Sequence, residues 1–210
     1  MKPSIMIIAK APEPGRSKTR LSPPCTPGQA AQLADAALAD TLEAVSRTGI
    51  ARRRLVLEGE PGDWLPPGFE VVRQVAGGLG DRLAAAFAGI GGPALLIGMD
   101  TPQVTAEMLD DGITRLERPG TDAVLGLCLD GGYWAIGFDG QRPGVFDGVP
   151  MSVETTGKKQ LERMRALGMV VDLLPELADV DYFEDALAAA RERPAGRFAS
   201  VLGQMEIAGV

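Results

Sequence analysis

The 210-residue sequence contains no histidine, the side chain that most often serves as a general base. This absence excludes Ser-His and Cys-His nucleophile systems, and it also excludes imidazole as a metal ligand. Any chemistry must therefore use carboxylates, cations, hydroxyl groups and hard metal ions.

Cysteine is scarce as well, since only Cys25 and Cys128 are present and they lie far apart in the chain. A zinc site or a redox motif requires closely spaced cysteine pairs, which this sequence does not have. We therefore expect both residues to be reduced thiols with structural roles.

The sequence also lacks an excess of positive charge and any long apolar run. Its net charge of -7 disfavours general affinity for nucleic acids and anionic membranes. No apolar run reaches the roughly 18 residues of a membrane span, and Lys2-Pro3 leads into a short strand-like segment rather than a signal-peptide hydrophobic region. We expect a cytoplasmic protein that binds neither nucleic acid nor membranes.

The length and the 45% hydrophobic content suit one well-packed core, so we expect a single domain over residues 1–210. Apolar segments typical of strands alternate with segments of helical periodicity, which predicts an α/β fold. We expect a mostly parallel central sheet of about seven strands flanked by helices, as in Rossmann-like proteins. The predicted strands are 4–9, 54–58, 69–74, 93–98, 122–127, 133–138 and 169–174. The predicted helices are 27–46, 84–88 after a glycine-rich entry, 105–117, 153–167, 179–193 and a short final one within 196–205.

A basic loop (residues 10–21) directly follows the first predicted strand. Its cations are Lys10, Arg16, Lys18 and Arg20. Two prolines and Gly15 stiffen the loop, and a predicted helix begins soon after it. Open α/β sheets bind anionic ligands at the carboxyl ends of their strands, so the loop is a candidate for phosphate binding. A solvated surface loop is the alternative interpretation.

A second candidate for phosphate contact is the glycine-rich segment 77–83, which includes Gly80 and Arg82. Glycines allow a ligand to approach the backbone at the beginning of a helix. An ordinary flexible loop would have the same composition, and the sequence does not decide between the two.

Three aspartates are candidate metal ligands. Asp100 follows the fourth predicted strand, where a carboxylate is well placed to hold a cation, and Thr105 is better suited to cap the next helix. Asp130 begins an Asp-Gly-Gly turn, although turn chemistry alone explains such a residue equally well. Asp181 lies in the acidic segment 179–185, where the helix dipole also favours carboxylates.

Together these motifs resemble those of a known family. They are Ala9-Lys10-Ala11-Pro12 with Gly15, Lys18-Thr19-Arg20-Leu21, Gly98-Met99-Asp100-Thr101-Pro102, Asp130-Gly131-Gly132-Tyr133 and Leu177-Ala178-Asp179-Val180-Asp181. In this order they resemble the nucleotide-diphospho-sugar transferase superfamily, which has the GT-A-like α/β fold. They most resemble DUF2064, the radical-SAM/selenodomain-associated transferase 1 family, whose members are often labelled glycosyltransferases. Segment 18–23 is also similar to the phospholactate guanylyltransferases.

The favoured hypothesis is metal-dependent nucleotidyl transfer from a nucleoside triphosphate to a small phosphorylated acceptor, with release of pyrophosphate. Cations would neutralise the phosphates, and Asp100, helped by Asp130 or Asp181, would hold Mg2+ or Mn2+. An ionised phosphate nucleophile needs no general base, which agrees with the absence of histidine. The predicted catalytic residues are Lys18, Asp100 and Asp130. The predicted phosphate-binding residues are Lys10, Gly15, Arg16, Lys18, Arg20, Gly80 and Arg82.

Two other hypotheses remain open. In a glycosyltransferase, a nucleotide sugar would be the donor, and Asp130, Asp181 or Asp185 would act as the base. Four cations exceed what a metal-bound diphosphate leaving group requires, whereas the usual label of the family favours glycosyl transfer. The third hypothesis is a nucleotide- or sugar-binding protein without catalysis. A homodimer is compatible with the sequence, which determines neither the nucleotide base, the acceptor nor the oligomeric state.

Overall fold

A computed structural model describes residues 1–206, and residues 207–210 of the predicted domain lie outside the described part. Seven strands form one sheet, as predicted. They are β1 (Ser4–Lys10), β2 (Arg52–Glu58), β3 (Phe69–Arg73), β4 (Ala94–Ile97), β5 (Ala123–Cys128), β6 (Tyr133–Phe138) and β7 (Val171–Leu177).

Six α-helices flank the sheet, and a short 3-10 helix, Thr19–Leu21, lies within the basic loop. The α-helices are α1 (Pro27–Arg47), α2 (Leu79–Phe87), α3 (Ala106–Leu116), α4 (Thr156–Ala166), α5 (Phe183–Glu192) and α6 (Arg197–Gly203). The longest, α1, begins with a capping box between Thr26 and Gln29 and has Pro27 in its first turn. The side chains of Thr26 and Gln29 accept hydrogen bonds from backbone N–H groups that would otherwise have no partner at the helix start, and Pro27 has no N–H that needs one.

The strand order is β3-β2-β1-β4-β6-β5-β7, and only β6 runs antiparallel to its neighbours. The reason is local: β5 ends at Cys128 and β6 begins at Tyr133, and a connection this short can form only a hairpin. The hairpin turn predicted at Gly131-Gly132 is therefore present. The remaining pairs are parallel and agree with the predicted α/β fold.

Helices cover both faces of the sheet. Leu38 and Leu42 of α1 pack with α3 on one face, and Phe87 of α2 packs with Met164 of α4 on the other. The ring of Phe87 meets Phe138 of β6 edge-on at a centroid distance of 4.8 Å. Because both faces are covered, the central strands are apolar along their length, which explains the continuous apolar run in β1.

The topology brings several chain segments to one edge of the sheet. Strands β1, β4, β5 and β7 all run in the same direction, so their carboxyl ends lie along this edge. The crossover from β1 leads to β2 on one side, whereas β4 lies on the other side of β1. Such a switch in strand order leaves a crevice above the two strand ends, where open α/β sheets bind ligands.

Three helix starts differ by at least three residues from the sequence prediction, and one of them is α4, which begins at Thr156 rather than at residue 153. Helix α2 begins at Leu79, so Gly80 and Arg82 lie in its first turns rather than in a loop. Helix α5 begins only at Phe183, with Asp185 accepting hydrogen bonds from the N–H groups of Asp181 and Tyr182. The acidic residues before it are therefore loop residues. Within residues 1–206, no helix combines the length and the apolar character that crossing a membrane requires.

Candidate active site

The basic loop is held in a defined shape by its own contacts. The N–H of Glu13 donates to the buried Ser17 hydroxyl at 2.9 Å, and the N–H of Ser17 donates to the Glu13 carbonyl at 3.0 Å. Gly15 has a φ of +74°, a conformation that favours glycine at this turn. Leu21 is fully buried in a cluster with α1, α5 and α6, which anchors the end of the loop. The cations therefore project from a fixed backbone.

Lys18 is the most buried of the four cations, with a side chain that is 9% exposed. Its ammonium lies 2.6 Å from a carboxylate oxygen of Asp100 and 3.9 Å from one of Asp181. It also donates to the carbonyl of Val180. An ammonium has three N–H donors, so one remains for a ligand. Lys18 thus links the basic loop to the loops after β4 and β7.

The other three cations lie at the rim, where solvent reaches them. Arg20 forms an ion pair with Asp181 at 2.5 Å, and Arg16 forms one with Glu13 at 2.8 Å. Lys10 lies 3.3 Å from a carboxylate oxygen of Glu58, at the end of β2. Exposed pairs of this kind are weak, so these cations remain available to an anionic ligand.

Among the loop cations, only Lys10 lies near Arg82, because both contact Glu58. Arg82 donates to Glu58 at 2.6 Å and to the side chain of Gln74 at 3.1 Å. The hydrogen bond from Arg82 and the nearby charge of Lys10 lower the pKa of Glu58, which stays ionised. Gly80 packs near Phe146 and Met151. Arg82 therefore joins the site only through Glu58 and Lys10, at its outer side.

A pocket of about 260 Å³ lies between the basic loop and the end of β4. All four loop cations line it, together with two carboxylates, those of Asp100 and Asp181. The N–H of Lys10 donates to the Met99 sulfur at 3.3 Å, which holds the ends of β1 and β4 together below the pocket. The lining has more cationic than anionic groups, in a protein whose net charge is -7.

A cluster of acidic groups lies at the adjoining strand ends. It consists of Cys128, Asp130 and Asp179, whose Sγ and carboxylate oxygens are within 4.8 Å of one another. Asp130 is held by the turn after β5, where it accepts the N–H of Gly132 at 2.8 Å. Burial, reinforced by the carboxylates of Asp130 and Asp181, raises the pKa of Asp179 to about 6. The cluster thus concentrates negative charge in a partly buried space.

The loop that carries Asp179 is fixed on both sides. The side-chain amide of the buried Gln103 donates to the Ala178 carbonyl at 2.5 Å. The N–H of Val180 donates to the Asp100 carbonyl at 2.9 Å. These two contacts set the position of Asp179 relative to the loop after β4.

The cluster has the chemistry of a divalent-cation site. Burial and the neighbouring aspartates raise the pKa of the Cys128 thiol, which stays protonated and is a poor ligand. Carboxylate oxygens are the ligands that Mg2+ and Mn2+ prefer. The neighbouring carboxylates that raise the pKa of Asp179 repel its negative charge, and a bound cation would reduce this repulsion. The residues present therefore fit a hard divalent ion held by Asp130 and Asp179.

The predicted site residues thus fall into three groups. Lys18, Asp100 and Asp181 form one ion-paired unit with Arg20, and Lys10 and Arg16 line the same pocket from the basic loop, in which Gly15 makes a turn. Asp130 lies in the neighbouring acidic cluster. Gly80 and Arg82 lie further out along the same edge. Both cysteines are free, as predicted, and both are buried, although Cys128 belongs to the acidic cluster rather than to a purely apolar core.

Sequence reasoning did not select Asp179 as a candidate ligand, although it belongs to the motif that ends β7. The predicted helix 179–193 places Asp179 and its acidic neighbours in a first helical turn, where the helix dipole explains them. The signal that could identify it is its position directly after a strand that ends at the same edge as β4 and β5.

Comparison with known families adds independent information. The family DUF2064, described as "Uncharacterized protein conserved in bacteria", matches residues 31–153, which is more than half of the chain. The chain belongs to the DUF2064 family. A sequence comparison with curated proteins finds no match.

Several solved structures are similar to this DUF2064 protein. One, from Desulfovibrio desulfuricans G20, is provisionally named a nucleotide-diphospho-sugar transferase; it is 27% identical, with a TM-score of 0.86 over 97% of this chain and 95% of that one. The 2-C-methyl-D-erythritol 4-phosphate cytidylyltransferase from Thermus thermophilus is 18% identical, with a TM-score of 0.56 over 92% and 100% of the two chains. Rv0371c from Mycobacterium tuberculosis H37Rv, solved with manganese, is 22% identical, with a TM-score of 0.51 over 90% and 98%. The last two similarities show the shared fold.

Proposed function

We propose that this DUF2064 protein is a divalent-metal-dependent nucleotidyltransferase that acts on a nucleoside triphosphate and a small phosphorylated acceptor. The observation that carries the proposal is the pocket in which four cations face the carboxylates of Asp100 and Asp181, next to the Asp130–Asp179 cluster. Transfer from a triphosphate needs cationic side chains and a divalent metal ion, and here the cations lie beside carboxylates that could hold such an ion.

In this reaction an ionised phosphate of the acceptor attacks the α-phosphorus of the triphosphate. The bond from that phosphorus to the bridging oxygen breaks, and pyrophosphate leaves with the electron pair. Lys18 and the guanidinium groups of Arg16 and Arg20 bind the phosphate oxygens on which negative charge increases. No proton has to be removed from the nucleophile, so the chain needs no histidine.

A bound Mg2+ or Mn2+ would supply charge neutralisation of the phosphates. Asp130 and Asp179 would hold this metal ion. Asp100 and Asp181 lie at the same edge of the sheet and line the adjoining pocket. Lys18 orients Asp100 through its 2.6 Å ion pair, so phosphate binding and the acidic groups are linked by one side chain.

Two similarities support this proposal. The cytidylyltransferase from Thermus thermophilus, whose name indicates a phosphorylated acceptor, has the same fold. Rv0371c, also of this fold, has been solved in complex with manganese, which supports the metal dependence but does not distinguish the two kinds of transfer. We further infer that residues 1–206 form one domain, since the seven strands of this part of the chain belong to one sheet.

A second candidate function is glycosyl transfer from a nucleotide sugar. It is favoured by the provisional name of the Desulfovibrio structure, which is 27% identical over nearly the whole chain. A leaving nucleoside diphosphate would bind in the same pocket. Asp185 is unsuited to the role of base because its carboxylate accepts the N–H of Tyr182 at 2.7 Å and so caps α5.

The two functions are distinguished by their leaving groups. The protein should be incubated with Mg2+ or Mn2+ and a panel of nucleoside triphosphates and phosphorylated acceptors, and in parallel with nucleotide sugars and hydroxyl acceptors. Nucleotidyl transfer predicts acceptor-dependent pyrophosphate release that Asp100→Asn abolishes without unfolding the protein. Nucleoside diphosphate release from a nucleotide sugar would instead establish glycosyl transfer, and nucleotide binding without turnover would indicate a binding protein.

A further inference from the structure

A second cavity, of about 200 Å³, lies at the opposite edge of the sheet, where the parallel strands β1 and β2 begin. Ser4, Arg52, Arg54 and Glu70 are among its lining residues. The cavity is remote from the candidate active site because the two sites lie at opposite ends of the same strands. None of the groups proposed to bind the nucleotide or the metal takes part in it.

The sheet register places these side chains together. Ser4 is paired with Arg52 across β1 and β2, and Met6 is paired with Arg54 two residues further on. Since alternate residues of a strand point to the same face, Ser4, Arg52 and Arg54 share one face of the sheet. Arg54 is also in register with Glu70 on β3.

The cavity has an excess of positive charge. Arg54 donates from Nε and Nη2 to Glu70 at 3.0–3.2 Å, so that pair is neutral and holds the Arg54 guanidinium in place. Arg53 points to the other face and donates to the carbonyls of Ile50 and Thr48. Arg52 is exposed, and no carboxylate of residues 1–206 forms an ion pair with it. Its charge is therefore available in a protein that is otherwise acidic.

Ser4 adds to the lining of this cavity a hydroxyl group that is unpaired within residues 1–206. It is 3% exposed, and its hydroxyl is buried without a hydrogen-bond partner among the described residues. Buried hydroxyl groups nearly always have a partner, because leaving one unpaired is unfavourable. An acceptor oxygen bound beside Arg52 would satisfy it.

We propose that this cavity binds a small phosphate monoester. The guanidinium group of Arg52 offers planar donors that match phosphate oxygens, the Arg54 Nη1 is not used by Glu70, and the Ser4 hydroxyl adds a further donor. The Glu70 carboxylate lines the same cavity and accepts a hydrogen bond from a hydroxyl group on the organic part of the ligand. A cavity of this size takes a small molecule, and the net charge of -7 disfavours a polyanionic polymer.

The experiment is a calorimetric titration of the full-length protein with glycerol 3-phosphate and, separately, with inorganic phosphate at constant ionic strength. We expect binding that Arg52→Ala weakens about tenfold or more, the loss typical of a charged hydrogen bond. Ser4→Ala should weaken it by a smaller factor. Arg47→Ala, which removes an exposed arginine paired with Glu43, is the matched control and should leave binding unchanged.

The Lys18→Ala variant separates this site from the active-site pocket. Binding that persists in Lys18→Ala and weakens in Arg52→Ala supports the proposal, whether or not the protein proves to be a nucleotidyltransferase. The proposal is overturned if the wild-type protein binds neither probe, if Arg52→Ala binds as the wild type does, or if only Lys18→Ala loses binding. Tighter binding of glycerol 3-phosphate than of inorganic phosphate would show that the organic part is recognised; equal affinity would contradict the monoester assignment.

Discussion

Lys18 connects the cationic basic loop with the acidic groups of the loops after β4 and β7. Its ammonium contacts Asp100 and the carbonyl of Val180, and the short distance to Asp181 completes the group. Because the side chain is 9% exposed, its charge is less screened than those of Arg16 and Arg20 at the rim. We therefore expect it to contribute more to phosphate binding than either arginine.

The Lys18→Ala variant should bind a nucleoside triphosphate more weakly, by about 1.5–3 kcal/mol, because a charged hydrogen bond to phosphate is lost. The measurement is the dissociation constant by calorimetry in the presence of Mg2+. Lys159→Ala is the control, since Lys159 is exposed and pairs with Glu162. Unchanged nucleotide affinity in Lys18→Ala would mean that the basic loop is only a solvated surface loop.

Asp179 carries the clearest pH dependence. Burial and neighbouring carboxylates raise its pKa to about 6, above the ordinary value of 3.8, so the folded protein favours the protonated form. The contribution of protonated Asp179 to the free energy of unfolding is fully present below about pH 4, and it is lost as the pH rises through about 6. At pH 8 without metal, the ionised carboxylate therefore destabilises the fold.

The Asp179→Asn variant should consequently be more stable than the wild type at pH 8 in a chelating buffer, by about 1 kcal/mol after allowance for partial solvent screening. The gain should disappear at pH 4. Adding Mn2+ should stabilise the wild type and have little effect on the variant. Thermal unfolding at the two pH values measures both effects, with the exposed Asp63→Asn as the control. Equal metal stabilisation of Asp179→Asn and wild type would remove this carboxylate from the metal site.

Among the elements, the loops after β4 and β7 determine the geometry of the acidic groups. They are joined by the amide of Gln103, which donates to the Ala178 carbonyl, and by the bond from the Val180 N–H to the Asp100 carbonyl. Gln103 is 5% exposed, so the hydrogen bond lies away from water. The two loops therefore behave as one unit.

Replacing Gln103 by alanine should remove the hydrogen bond to the partly buried Ala178 carbonyl and reduce the free energy of unfolding by about 1 kcal/mol. Because Asp179 follows Ala178 directly, the affinity for Mn2+ should also fall. Urea denaturation and a manganese titration measure the two quantities. Gln204→Ala, which removes an exposed glutamine bonded to Ser200, should change neither. A variant that is less stable but binds Mn2+ normally would show that the bond does not position Asp179.

At the level of elements, the sequence predicts most of the fold, because strands buried on both faces give continuous apolar runs. Strand β6, for example, is predicted at Tyr133–Phe138, as observed. The start of α5 is harder to locate: acids favour a first helical turn, but the Asp185 cap places the start after Asp181. For the same reason the role of Asp179 could not be separated from helix capping.

The side-chain pairing within the site could not be predicted. Residues 18 and 100 are far apart in the sequence, and no local pattern shows that the ammonium of Lys18 lies 2.6 Å from Asp100. The pairing follows from the strand order, which places β1 next to β4, and from the buried Leu21 that anchors the basic loop. Both are long-range properties of the folded chain.

In the whole molecule, charge is distributed unevenly. The net charge is -7, yet the pocket at the carboxyl ends of β1 and β4 has four cations, and the cavity at the other end of the sheet has Arg52, which has no ion-pair partner within residues 1–206. Local positive potential in an acidic protein directs small anions to specific places while repelling polyanions. This distribution agrees with small phosphorylated ligands rather than nucleic acids.

The basic-loop pocket and the acidic cluster are proposed to form one nucleotide–metal site. The most direct test is a crystal structure of the protein soaked with a non-hydrolysable nucleoside triphosphate analogue and Mn2+, with anomalous scattering recorded at the manganese edge. We predict a manganese peak at the carboxylates of Asp130 and Asp179, and phosphates in contact with Lys18. Phosphates outside the pocket, or a manganese peak remote from Asp100, Asp130, Asp179 and Asp181, would contradict the account.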